Sequence, residues 1–127
     1  MIVLDTHAWL WWMTGNGSLT AAAAAAIDVA DTIGVSAVSV MELATAVRRR
    51  RVTLDREVTA WVRQASDRPR VGVIPITREI AVRAGDLEGL HGDPADRIIV
   101  ATALMTHARV VTRDARIREF KGVRCIW

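Results

Sequence analysis

A chain of 127 residues, 51% hydrophobic and 24% charged, has the composition of a folded globular protein and the size of a single domain, here expected to span 1–127, which sets disorder aside. Its net charge is +3 and Lys121 is the sole lysine; arginine's planar fork suits phosphate, so a nucleic-acid partner is admitted without being required. The single cysteine, Cys125, excludes an internal disulfide, no window approaches the roughly 18 apolar residues of a membrane span, and no secretory signal opens the chain, so the expectation is a soluble cytoplasmic domain with no membrane role.

The apolar run "IVL" at 2–4 predicts a short strand covered on both faces, and a helix follows from about Thr6 to Met13. "TGNGS" at 14–18 breaks the pattern, after which Ser18 or Thr20 opens an alanine-rich helix to about Asp31. "TIGVSA" at 32–37 is a second strand, with Ser39 expected to cap a helix through Val47 that ends in "RRRR" at 48–51. Asp55 is expected to cap the next helix, to about Ala65. "VGVIPI" at 71–76 is a third strand, and Thr77 caps a helix carrying Ile80, Ala84 and Leu87. After the loop "EGLHGD", Asp93 and Pro94 read as an N-cap followed by an N1 proline, opening a helix to about His107. "RVVT" at 109–112, a helical turn in "RDARIREF" and "VRCIW" at 123–127 complete the chain. Apolar strands alternating with helices predict an α/β fold with a mainly parallel sheet.

Ligands of such sheets bind beyond the carboxyl ends of the strands. Four acids fall at such places: Asp5 after the first strand, Glu42 in "SVMEL", Asp96 in "GDPADRI" and Asp114 in "VVTRD". Each has an ordinary alternative. "SVME" is a capping box for Glu42, "DPAD" puts Asp96 at a favourable helix N-terminus, Asp5 suits an N-cap and Asp114 an Asx-turn. Taken together they suggest something else. Carboxylates converging at one sheet end repel unless a cation neutralises them, and hard ions such as Mg²⁺ or Mn²⁺ prefer oxygen ligands and serve phosphoryl chemistry.

Those motifs, "IVLDTHAWLWW", "SVMEL", "LHGDPADRIIVATAL" and "VVTRDARI" in this order and spacing, make the chain resemble a PIN domain, in particular the VapC toxins of bacterial VapBC type II toxin–antitoxin modules. The resemblance implies a three-layer α/β/α fold with a parallel five-stranded sheet. It also implies a divalent-metal-dependent endoribonuclease, cleaving RNA phosphodiesters by metal-activated water with Mg²⁺ or Mn²⁺ as cofactor. The family's acids fall on Asp5, Glu42, Asp96 and Asp114, with Asp5 and Asp96 holding the principal ion. Implied partners are RNA, a cognate VapB-type antitoxin and a second copy of the chain, in a homodimer and a hetero-oligomer with the antitoxin.

Lesser candidates surround these acids. Thr6 adjoins Asp5, Asp93 belongs to "DPxDR" as the cap of its helix, and Thr112 is a candidate for orienting Asp114 or a metal-bound water. Arg97 and Arg113 can touch phosphate or pair with the nearby acids. His7, His91 and His107 lack metal-site spacing and read as structural or supporting residues. Tryptophans 9, 11 and 12 span too wide an arc for one core, so at least one reaches a surface. The competing readings are a phosphoacceptor signalling module and a non-catalytic binding module; the first lacks the second acid beside Asp5, and the second predicts no divalent-ion binding.

Overall fold

The computed structural model describes residues 1–127. In chain order the elements are β1 (Ile2–Leu4), α1 (Thr6–Thr14), α2 (Ala21–Val29), β2 (Ile33–Ser36), α3 (Ala37–Arg48), α4 (Val58–Ser66), β3 (Val71–Ile74), α5 (Arg78–Asp86), α6 (Pro94–Met105), β4 (Arg109–Val111), α7 (Ala115–Glu119) and β5 (Cys125–Ile126). The five strands form one sheet in the order β3-β2-β1-β4-β5, every pairing parallel. Helices cover both faces, giving the three-layer α/β/α arrangement.

The strands are too short and too apolar to show clean alternation, yet the period of two is there in the packing. Ile2, Leu4 and Val111 join Trp9, Ile27 and Leu43 in one core cluster, whereas Val3 and Val110 join Val38 and Ile99 in another. Both faces are therefore dry, which is why β1 reads as a continuous hydrophobic run. A third cluster, built on Ile80, Leu87, Val100 and Ile117, seals α5 and α7 against α6.

Local capping explains most helix starts. Thr20, Thr77 and Asp93 each accept the backbone N–H three residues on, as their spacing predicts. Two caps differ from expectation. Glu57, not Asp55, caps α4 by accepting from Thr59 and Ala60, while Asp55 pairs with Arg56 in solvent. Ser36, not Ser39, caps α3, accepting from the Val38 N–H at 3.3 Å, because β2 turns into the helix with no intervening loop. Ser39 is wholly buried in the first turn of α3 and its hydroxyl has no partner.

The order β3-β2-β1-β4-β5 makes β1 and β4 the point where successive connections run to opposite sides of the sheet. A crevice opens there at the carboxyl ends of the strands. Leu4 is in register with Val111, and the Asp5 N–H donates to the Val111 carbonyl at 3.1 Å, so Asp5 and Thr112 leave the sheet side by side. No helix is long and apolar enough to cross a membrane.

Candidate active site

The crevice is a cleft of about 420 Å³ lined by Asp5, Glu42, Asp93, Asp96 and Asp114 together with Thr6, His7, Trp11, Arg113 and Arg116. The structure thus brings together all four strand-end acids.

Asp5 is only 7% exposed and caps α1, accepting the Ala8 N–H at 2.7 Å. Burial pushes its carboxyl above the ordinary range, against the opposing pull of hydrogen bonds from Thr112 and the Ala8 amide. Asp5 is therefore both a cap and a wall of the cleft: one oxygen serves the helix, leaving lone pairs free.

Glu42 is not the capping-box residue that "SVME" suggests. With Ser36 as cap it lies in the second turn of α3, out of reach of the N-cap amide. Its carboxylate instead accepts the Thr6 hydroxyl of α1, a contact of 2.5 Å between helices 36 positions apart in sequence. Burial raises the Glu42 pKa, with Thr6 opposing and the charges of Asp96 and Asp93 adding to the rise.

Asp96 occupies the N3 position of α6, its amide donating to the Asp93 carboxylate. Its Oδ2 lies 2.8 Å from His91 Nε2 and 3.6 Å from the Arg116 guanidinium. Burial dominates here as well and raises its pKa, while His91 opposes. Asp114 caps the short helix α7, and the Thr112 hydroxyl accepts its amide at 3.0 Å. Arg116, which donates to Asp114 at 2.9 Å, holds that carboxyl below its ordinary range. Thr112 is fully buried and so fixes the Asp114 backbone beside Asp5.

Three placements were not visible in the sequence. Arg97 does not face the cleft. Its guanidinium donates to the carbonyls of Ala84, Gly85, Leu87, Leu90 and His91, at 2.7–3.3 Å. It ties the carbonyl-rich end of α5 and the following loop to α6, which consumes the donors a phosphate would need. His91 sits against Asp96, and His91, Asp96 and Asp114 present ligand atoms within 4.8 Å of one another. Arg116 looks like one arginine of many in "RDARIREF", yet it bridges Asp96 and Asp114. Arg113, by contrast, does line the cleft.

This arrangement suits a divalent cation. The donors are oxygen-rich, burial raises three of the four acids, and in the structure the positive charge between Asp96 and Asp114 comes from Arg116. A family model described as the PIN domain matches residues 2–123. The chain belongs to the PIN-domain family.

Among relatives of this PIN domain, Ribonuclease VapC22 of Mycobacterium tuberculosis is 37% identical over 97% of this chain and 94% of its own length. Solved structures with the same fold include VapBC2 from Rickettsia felis bound to a promoter DNA fragment, with a TM-score of 0.72 and 16% identity over 98% of this chain and 97% of that one. VapC20 of M. tuberculosis, a toxin that cleaves the sarcin-ricin loop, superposes with a TM-score of 0.69 at 15% identity, covering 98% of this chain and 99% of that one. The VapC-type PIN domain expected from the motifs is thus the family to which this chain belongs, and PIN nucleases are dependent on divalent metal.

Proposed function

We propose that this chain is the toxin of a type II toxin–antitoxin module, an endoribonuclease that requires Mg²⁺, with Mn²⁺ as an alternative. The observation that carries this reading is the convergence of Asp5, Glu42, Asp96 and Asp114 in one cleft at the switch point of the sheet. The similarity to Ribonuclease VapC22 supports the substrate class.

In this reading Asp5 and Asp96 hold the principal ion, and Glu42 and Asp114 complete the acidic site. A divalent ion held there supplies Lewis acidity for activating water and countering phosphate charge. The protein's contribution is to position the acids. Thr6 donates a hydrogen bond to the Glu42 carboxylate, the Thr112 hydroxyl accepts the Asp114 amide, and Asp93 caps the helix that presents Asp96. Arg113, on the rim, offers a cation to the RNA backbone, which an otherwise acidic cleft would repel. Arg116 pairs with Asp96 and Asp114, the carboxylates that would help hold the ion.

The partners in this reading are RNA, a cognate VapB-type antitoxin, and a second copy of the chain in a homodimer that joins the antitoxin in a hetero-oligomer. One of the named neighbours, VapBC2 of Rickettsia felis, is such an assembly, and such a module works in the cytoplasm. Asp5→Asn and Asp96→Asn should each abolish metal-dependent cleavage of RNA and growth toxicity while preserving the far-UV circular dichroism spectrum. Undiminished cleavage by both variants would overturn the assignment of the site.

A further inference from the structure

The three tryptophans of α1 have different fates. Trp9 is wholly buried, edge-on to Trp61 with ring centroids 5.3 Å apart. Trp12 packs on the core and carries the Arg68 guanidinium 5.1 Å from its ring centroid. Trp11 is half-buried and lies outside the core clusters. It is the sole hydrophobic residue among the ten that line the acidic cleft.

The indole of Trp11 is braced. His7, one helical turn earlier on the same face of α1, lies 5.5 Å away ring to ring, and the Trp127 ring lies 5.9 Å away. The Arg113 guanidinium stands 5.9 Å from the Trp11 centroid, so the cation offered to the RNA backbone also touches the aromatic wall. An aromatic ring held rigid beside a phosphate-directed arginine is the arrangement that single-stranded nucleic acids use, with phosphate on the cation and base on the ring.

We propose that Trp11 is a stacking platform for an unpaired nucleobase adjacent to the phosphodiester that is cut. This rests on the ribonuclease reading above. An apolar protein segment is the poorer occupant, because seating it in this cleft would cover five carboxylates without answering their charge. A nucleotide places only its base against the indole and leaves its phosphate to the cations. The platform favours single-stranded or looped RNA over duplex, since a base inside a helix has no free face to offer.

The test is a cycle between protein and substrate. Steady-state cleavage of an unstructured RNA oligonucleotide by the Mg²⁺-loaded protein is compared with cleavage of the same RNA carrying one abasic nucleotide, scanned across positions flanking the cut. Wild type, Trp11→Phe, Trp11→Leu and Trp11→Ala are used. Trp11→Ala should raise KM on the order of tenfold, Trp11→Phe should retain most of the affinity, and Trp11→Leu should behave like alanine. One abasic position should weaken wild type by a similar factor and leave Trp11→Ala nearly unaffected. The Mg²⁺-induced rise in melting temperature should be the same in all four proteins.

Equal KM for Trp11→Leu and wild type would overturn the platform, as would an abasic penalty that persists in Trp11→Ala. Loss of antitoxin binding with RNA kinetics unchanged would reassign Trp11 to a protein interface and overturn it too. The abasic scan on wild type needs no variant, so absence of any abasic effect overturns the proposal even where Trp11→Ala fails to fold. Failure of wild type to cleave any RNA would instead remove the ribonuclease reading and the platform with it.

Discussion

In the proposed reading Asp5 has two roles, helix cap and metal-site charge, that substitution can separate, because asparagine caps a helix as well as aspartate does but carries no charge. In Asp5→Asn the hydrogen bond from the Ala8 amide, 2.7 Å in the structure, survives. In Asp5→Ala it is lost. The second variant should therefore be less stable than the first by about 1 kcal/mol, within a range of roughly 0.5–2, which is about 3–6 °C in melting temperature for a domain of this size.

Charge sets the pH dependence. Burial raises the Asp5 pKa in the folded state, so the folded protein binds more protons than the unfolded chain between the unfolded and folded values. The stability associated with protonated Asp5 is fully present below the unfolded value and is lost as pH rises through the folded one. Without divalent ions, Asp5→Asn should match wild type at acid pH and exceed it increasingly toward neutrality. Mg²⁺ at about 100 times its dissociation constant should then stabilise wild type by ~2.7 kcal/mol and neither variant by a comparable amount. Melting curves by circular dichroism, with EDTA or Mg²⁺ across a pH series, read all of these quantities. A full Mg²⁺ response in Asp5→Asn would refute the role in metal binding. Equal destabilisation of both variants at neutral pH would refute the separation of cap from charge.

Thr6→Val, which removes the donor that fixes Glu42, should lower kcat/KM for RNA about tenfold, with Thr6→Ser close to wild type; identical kinetics for the valine variant would exclude a positioning role. Arg97→Lys should destabilise the protein by roughly 2–4 kcal/mol in urea unfolding, since an ammonium cannot reach the spread of carbonyls that the guanidinium satisfies. If Arg97 instead served RNA, stability would stay unchanged and KM would rise. Arg116→Ala should return the Asp114 pKa upward in a carboxyl NMR titration and tighten Mn²⁺ binding measured by calorimetry, because a cation sharing those carboxylate oxygens is gone. In wild type the depressed Asp114 pKa contributes stability above the unfolded value that is lost as pH falls through the folded one. That contribution should shrink in the variant, which keeps the backbone amide of residue 116 and His91 near Asp114.

Much of this protein was legible in the order of its residues. Each signal was local. The β1 run, the proline after Asp93 and the caps Thr20, Thr77 and Asp93 act over one to four positions, and the structure contains them. Local signals failed where two polar residues competed for one boundary. Ser36 won over Ser39 because β2 turns straight into α3, and Glu57 displaced Asp55 from α4. The first exchange moved Glu42 out of a capping box and into contact with Thr6.

Only the tertiary structure decided which charged side chains meet. The acids converge because β1 and β4 pair at the middle of the sheet, a contact between residues about a hundred positions apart that no local pattern encodes. Arg97 and Arg116 are alike in sequence, each within two positions of a site acid. One is consumed by the carbonyl end of a helix and the other bridges two carboxylates, because α6 turns one inward against α5 while α7 holds the other over the cleft. The same holds for α1, where helical periodicity requires that its tryptophans diverge, but packing alone determines that Trp11 is the one facing the acids.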